Sequence, residues 1–174
     1  MDRIANNLSN KSNAILLLHP STMTTEPTFP ANPIILLVED MDNDVRLMQI
    51  ACKKAGYQNE LQRAKNGVEA IAYLKGEGLY GNRDRFPFPT AMLLDLNMPQ
   101  KDGFEVLTWL KQQPRLKRFP IFVLTASSQE RDIELALDLG ANGYLVKPST
   151  ITELIEMAEC LHRWLGFNQF AALP

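Results

Sequence analysis

Two cysteines and two histidines are all the thiolate and imidazole ligands for zinc that this 174-residue chain offers. Cys52 and Cys160 each fall inside a helical pattern with no second ligand at metal spacing, and His19 stands far from His162. A zinc site and a disulfide scaffold are therefore excluded, and the expectation is a reduced intracellular protein with two buried thiols. Net charge is equally scarce: 18 Lys and Arg against 20 Asp and Glu leave −2. That balance provides no electrostatic case for nucleic acid or an anionic membrane. Long apolar runs are missing too. The only candidate for a targeting segment, Ala14-Ile15-Leu16-Leu17-Leu18, ends at His19-Pro20. It is too short for a signal-peptide core, lacks a small-x-small site after it, and could not span a bilayer, so a cytoplasmic location is expected. Internal repeats are absent as well.

What is present is apolar residue in quantity, 45% of the chain, enough to fill one core. Residues 1–32 are rich in Asn, Ser, Thr and Pro without periodicity and read as a disordered or loosely held tail. Residues 33–166 read as one domain, and 167–174 as a C-terminal tail. Within the domain, strand-like runs at Ile34–Val38, Asn59–Ala64, Ala91–Leu94, Pro120–Leu124 and Gly143–Val146 alternate with helical patterns.

The first helix is expected to be capped by Asp42 or Asn43, to bury Val45, Leu47, Met48, Ala51, Cys52 and Ala55, and to stop at Gly56. The second starts at Asn66 or Gly67 and carries Val68, Ala70, Ile71, Tyr73 and Leu74. The third starts near Asp102-Gly103 and turns Phe104, Val106, Leu107 and Leu110 inward. Ser127 with Glu130, and Thr150 with Glu153, have capping-box spacing for the last two. The fourth buries Ile133, Ala136, Leu137 and Leu139. The fifth carries Ile151 to Leu165 on one stripe and closes at Gly166. Five strands alternating with five helices predict an α/β, doubly wound, five-stranded parallel sheet flanked by five helices.

In that topology the C-terminal ends of the strands gather at one edge of the sheet, where such folds bind ligands. The first strand brings Glu39 and Asp40, the third Asp95, the fourth Thr125 and the fifth Lys147. Two carboxylates about 5 Å apart repel by roughly 3 kcal/mol at an effective dielectric near 20. A cation is needed, and an all-oxygen donor set favours Mg²⁺ or Mn²⁺. With Lys147 as a fixed positive charge opposite the metal and Thr125 as a hydrogen-bond donor, the set suits phosphoryl transfer to Asp95 as nucleophile.

Read in order, Glu39-Asp40, Asp95-Leu96-Asn97-Met98-Pro99 with Gly103 after it, Thr125-Ala126 and Lys147-Pro148 resemble the receiver domain of two-component response regulators. The resemblance covers Pro33 to about Leu165 and implies the flavodoxin-like receiver fold. It implies Asp95 as phosphoacceptor and Asp40 as direct metal ligand. Glu39 would act partly through water, and the backbone carbonyl of Asn97 would complete the set. Thr125 becomes the switch hydroxyl, Lys147 the phosphate-binding lysine, with a cis Lys147-Pro148 peptide. Tyr144 falls on the aromatic switch position: phosphate draws Thr125 inward, and the Tyr144 ring follows.

The long Gly76–Pro89 connection and the apolar C-terminal tail are similar to stand-alone receivers that partner cyanobacterial phytochrome-type sensor kinases. The implied partner is a sensor histidine kinase, and the implied output is altered protein contact. A homodimer through the helix 4 to helix 5 face is expected, with Phe167, Phe170 and Leu173 covered by it or by a folded-back tail. The chain is not expected to be an enzyme beyond slow self-dephosphorylation. An aspartate-nucleophile phosphatase needs an acid two residues past the nucleophile, where this chain has Asn97. The alternative is a phosphorylation-independent binding module.

Overall fold

The computed structural model describes residues 33–58 and 61–168. The expectations for the N-terminal tail, for the start of the second strand at Asn59, and for Phe170 and Leu173 lie outside those residues. Five strands form one parallel sheet: β1 (Ile35–Val38), β2 (Gln62–Ala64), β3 (Ala91–Leu94), β4 (Ile121–Thr125) and β5 (Gly143–Val146), in the order β2-β1-β3-β4-β5. Five helices connect or follow them: α1 (Asp42–Lys54), α2 (Gly67–Lys75), α3 (Gly103–Lys111), α4 (Glu130–Asp138) and α5 (Ile151–Phe167). This is the doubly wound five-stranded sandwich that the alternation predicts.

The apolar strands are buried on both faces, which is why they read as unbroken runs. Ile35, Leu37, Ala91, Leu93 and Leu124 meet Val45, Met48 and Ala51 of α1 and Ala158, Leu161 and Leu165 of α5. On the other face Leu36, Val38, Met92, Leu94 and Val123 pack with Ala70 and Tyr73 of α2, Val106 and Leu107 of α3, and Ala136 of α4. Each fully buried Leu among them contributes about 1.5–3 kcal/mol. The register Leu37↔Leu93 and Val38↔Leu94 between β1 and β3 sets their ends level, so the residues that follow emerge side by side.

Several local expectations hold. Asn66 caps α2 by accepting from Glu69 N at 2.9 Å, Thr150 and Glu153 form a reciprocal capping box, and Gly56 takes φ +90°. Others need correction. Met41 is the N-cap residue of α1, so Asp42 and Asn43 lie inside the helix. The Glu39 carboxylate reaches forward to Met41 N at 3.1 Å and settles the turn instead. Ser127 does not cap α4; Gln129 holds that place, and the Ser127 hydroxyl donates to Asp132 at 2.6 Å. α5 runs through Gly166 to Phe167, because continued hydrogen bonding offsets the small entropic cost of one glycine.

Leu47, Val68 and Leu137 are exposed, each lying at the margin of its helix's apolar stripe rather than at its centre. Cys160 is exposed while Cys52 is buried, since Cys160 faces away from the stripe that seats Ala158 and Leu161. The connection between α2 and β3 is exposed along much of its length yet anchored to the core. It contains a 3-10 turn at Gly78–Gly81 and seats Tyr80 and Phe86 against Tyr73. Arg83 donates to the carbonyls of Tyr73, Leu74 and Phe86 at 2.9–3.2 Å, which ties the connection to the end of α2. No helix among the described residues is long and apolar enough to cross a membrane.

Candidate functional site

Parallel pairing delivers the strand ends to one edge. Asp95 N donates to Val38 O at 3.0 Å, Glu39 N to Ala64 O at 3.0 Å, and Lys147 N to Thr125 O at 2.8 Å. These backbone bonds extend the ladder one residue past β3, β1 and β5, so each functional side chain sits on a rigid mount. Gly103 permits the close approach of α3. A Cβ there would lie 2.5 Å from Asp95 O and 2.8 Å from Leu96 Cα, both backbone atoms with nowhere to go.

Glu39, Asp40 and Asp95 each present a carboxylate oxygen, and the three oxygens lie within 4.8 Å of one another. Glu39 is 2% exposed and Asp95 5%. Two acids this close and this dry repel by about 3.5 kcal/mol at an effective dielectric near 20. The compensating charge is Lys147. Its ammonium donates to Glu39 Oε2, Asp44 Oδ2 and Asp95 Oδ2, each at 2.7 Å. All three of its N–H donors are thus matched to acceptors.

The protonation tendencies follow from this layout. Burial pushes the Glu39 carboxyl up, and the hydrogen bond from Lys147 only partly offsets it. Burial alone would push the Lys147 ammonium down, but its bonds to Asp44, Asp95 and Glu39 outweigh that and hold it above the ordinary lysine range. The lysine is a permanent cation here.

Thr125 is fully buried, and its hydroxyl accepts from the Asn97 side-chain amide at 3.2 Å. Asn97 N in turn donates to Asp95 Oδ1 at 3.2 Å, so Asn97 links the acid of β3 to the hydroxyl of β4. The Tyr144 hydroxyl donates to the carbonyl of Ser127 at 3.1 Å, across the start of the β4–α4 connection. The residues expected at the strand ends are therefore brought together, and Tyr144 stands beside the segment that follows Thr125.

One expectation fails. The described residues contain no cis peptide, so Lys147-Pro148 is trans. The isomers of an X–Pro bond differ by under about 1 kcal/mol intrinsically, so sequence does not decide between them. The lysine needs no cis bond to reach its acceptors, because β4–β5 pairing and three carboxylates already orient it.

Two residues at the site escaped sequence reasoning. Asp44, in the first turn of α1, supplies the third carboxylate to Lys147. Arg63 of β2 donates to the carbonyls of Glu39 and Asp40 at 3.1 and 2.9 Å and to the Asp42 carboxylate at 2.6 Å. It thereby braces the turn that carries two of the acids. The only sequence signal for Arg63 was a lone cation in an otherwise weak edge strand.

An all-oxygen set of carboxylates with no sulfur or imidazole fits a hard divalent cation such as Mg²⁺ or Mn²⁺. Glu39, Asp40 and Asp95 could hold one. What the arrangement offers chemically is a buried acid, Asp95, facing an ammonium, a hydroxyl and a place for a divalent ion: the groups that stabilise charge on a phosphoryl group.

The chain is similar to known proteins. The family described as the response regulator receiver domain matches residues 35–159. The response regulator Rcp1 of a Synechocystis strain is 42% identical over 138 residues, covering 78% of this chain and 92% of that protein. The crystal structure of the phosphorylated cyanobacterial phytochrome response regulator RcpA superposes with a TM-score of 0.72 at 40% identity, over 83% of this chain and 99% of that one. The Mn²⁺-bound form of response regulator Rcp1 superposes with a TM-score of 0.71 at 40% identity, over 80% of this chain and 99% of that one.

Proposed function

Since the chain belongs to the response regulator receiver domain family, we propose that it accepts a phosphoryl group on Asp95 from the phosphohistidine of a sensor kinase. One Asp95 carboxylate oxygen attacks phosphorus as the bond from phosphorus to the imidazole nitrogen breaks. The nitrogen keeps the electron pair, and the product is an aspartyl phosphate. Lys147 holds a phosphoryl oxygen by its ammonium, and Thr125 donates its hydroxyl to another. A Mg²⁺ or Mn²⁺ ion held by Glu39, Asp40, Asp95 and the Asn97 carbonyl neutralises charge on the phosphoryl oxygens when bound. The observation that supports this most directly is Asp95 Oδ2 at 2.7 Å from the Lys147 ammonium, with oxygens of Glu39 and Asp40 within 4.8 Å.

The output is a change of surface. Thr125 moves toward the phosphate, and Tyr144 exchanges its bond to Ser127 for the space that Thr125 vacates. The face built from α4, β5 and α5 then alters; these elements carry the exposed apolar residues Leu135, Leu137, Val146 and Ile151. A homodimer through that face accords with them. Residues 33–166 form the working unit, in the cytoplasm, and a phytochrome-type kinase is the partner that accords with the relatives' names.

The test is incubation with acetyl phosphate and Mg²⁺. Intact mass should rise by one phosphoryl group, the adduct should be alkali-labile, and Asp95→Asn should abolish it. Absence of any adduct in the wild type, with Mg²⁺ binding intact, would favour the phosphorylation-independent binding module.

A further inference from the structure

The three acceptors that share the Lys147 ammonium are not equivalent. Glu39 and Asp95 belong, with Asp40, to the set whose oxygens close to within 4.8 Å; Asp44 does not. Glu39 and Asp95 are held by strand ends and are almost fully buried, whereas the Asp44 side chain is 38% exposed. Asp44 stands in the first turn of α1, where free N–H groups favour an anion. A divalent cation and the ammonium draw on the same two carboxylates, Glu39 and Asp95, so the two compete there. Neither a metal in that set nor a phosphoryl group on Asp95 lays claim to Asp44. A cavity of about 200 Å³, lined in part by Asp44, Met48, Lys147, Pro148 and Leu154, adjoins the ammonium between α1 and α5. The lysine head has room to swing without repacking the core.

We propose that Asp44 is a positioning residue that anchors the Lys147 ammonium on the α1 side of the pocket. With that anchor, Lys147 releases Glu39 and Asp95 to the metal yet stays in place for the phosphoryl group. Without it, one N–H donor loses its partner and the ammonium settles on Glu39 and Asp95, where it opposes the cation. The inference rests on the phosphoacceptor role of Asp95 and adds to it the residue that times the lysine's exchange of partners.

Asp44 also attracts a cation by simple charge, so the test must separate the two effects. Mg²⁺ affinity is measured by calorimetry for wild type, Asp44→Asn, Lys147→Met and the double variant, with urea unfolding to check that each is folded. Asp44→Asn should weaken Mg²⁺ binding about tenfold when Lys147 is present and no more than about threefold when it is Met, a coupling in the range seen for groups in contact. Phosphorylation by acetyl phosphate at saturating Mg²⁺ should slow several-fold in Asp44→Asn. Asp44→Glu, which keeps the carboxylate, should recover most of that rate. Equal weakening of Mg²⁺ binding in both backgrounds, or a glutamate variant as slow as the asparagine one, would overturn the proposal. A wild type that binds Mg²⁺ but takes no phosphoryl group would refute the acceptor role of Asp95, and the affinity cycle would still decide what Asp44 does.

Discussion

Replacing Lys147 with Met leaves a side chain of similar length and removes the ammonium that Glu39, Asp44 and Asp95 share. Three hydrogen-bonded ion pairs at 2.7 Å disappear together. They do not count equally. The Asp44 pair is more than a third exposed on the acid's side, so solvent screening reduces it to about 0.5 kcal/mol. The Glu39 and Asp95 pairs are buried, and breaking such a pair strands a charge at a cost of about 3–5 kcal/mol. With the ammonium gone, Glu39, Asp40 and Asp95 face one another within 4.8 Å, a repulsion of about 3.5 kcal/mol per ionised pair. Glu39, already pushed up by burial, limits the damage by taking a proton. A net loss of about 3 kcal/mol in EDTA is expected. With a urea m-value of about 2 kcal/mol/M, the unfolding midpoint should fall by about 1.5 M.

Magnesium should reverse much of this loss. An ion at 100 times its dissociation constant adds about 2.7 kcal/mol to the state that binds it. In the Met variant it meets no competing ammonium, so its affinity should exceed that of the wild type. Urea unfolding followed by circular dichroism, with EDTA and with Mg²⁺, measures both quantities. A loss below about 1 kcal/mol in EDTA, or a loss that Mg²⁺ leaves undiminished, would refute the claim that Lys147 is the pocket's counter-ion.

Four other outcomes are expected. Because burial raises the Glu39 carboxyl, the folded state holds that proton more tightly than the unfolded chain does. Stability from this group is therefore full below the ordinary glutamate value and lost as pH rises through the folded one. Glu39→Gln should unfold at higher urea than wild type near pH ~7.5 in EDTA, with the advantage fading towards pH ~4, while Mg²⁺ binding weakens. Gly103→Ala forces a Cβ into the backbone of Asp95 and Leu96 and should cost about 1–3 kcal/mol by urea unfolding, with slower phosphorylation from a displaced acceptor. Burial pushes the Cys52 thiol up to about 12, so at pH ~8 an aromatic disulfide reagent should label one thiol, the exposed Cys160, and reach Cys52 only on unfolding. Tyr144→Ala should leave acetyl phosphate labelling of Asp95 within about twofold and abolish the phosphate-dependent change in self-association measured by light scattering; a change as large as in the wild type would exclude the switch role.

Much of this protein is readable in one dimension because its chemistry sits where periodic patterns stop. Apolar runs ending in Glu39-Asp40, Asp95, Thr125 and Lys147 announce both the strands and their cargo, since the buried strands β1, β3 and β4 carry polar residues only at or beyond their tips. The two-sided core, the strand count and the gathering of those tips at one edge follow from alternation alone. Tertiary structure decided the rest. Arg63 reaches the Glu39–Asp40 turn because the register Val38↔Ala64 sets β2 level with β1. Asp44 reaches Lys147 because α1 and α5 share a face of the sheet, and no spacing in the chain records that. The exposure of Leu137 and Cys160 was settled by where each helix rests on the sheet, which periodicity leaves free within a residue or two. The Lys147–Pro148 bond is trans, and the intrinsic difference between the two isomers is too small for the sequence to fix that choice. Local pattern determines which residues are presented; the choice of partners for one ammonium among four acids depends on distances that exist only after folding.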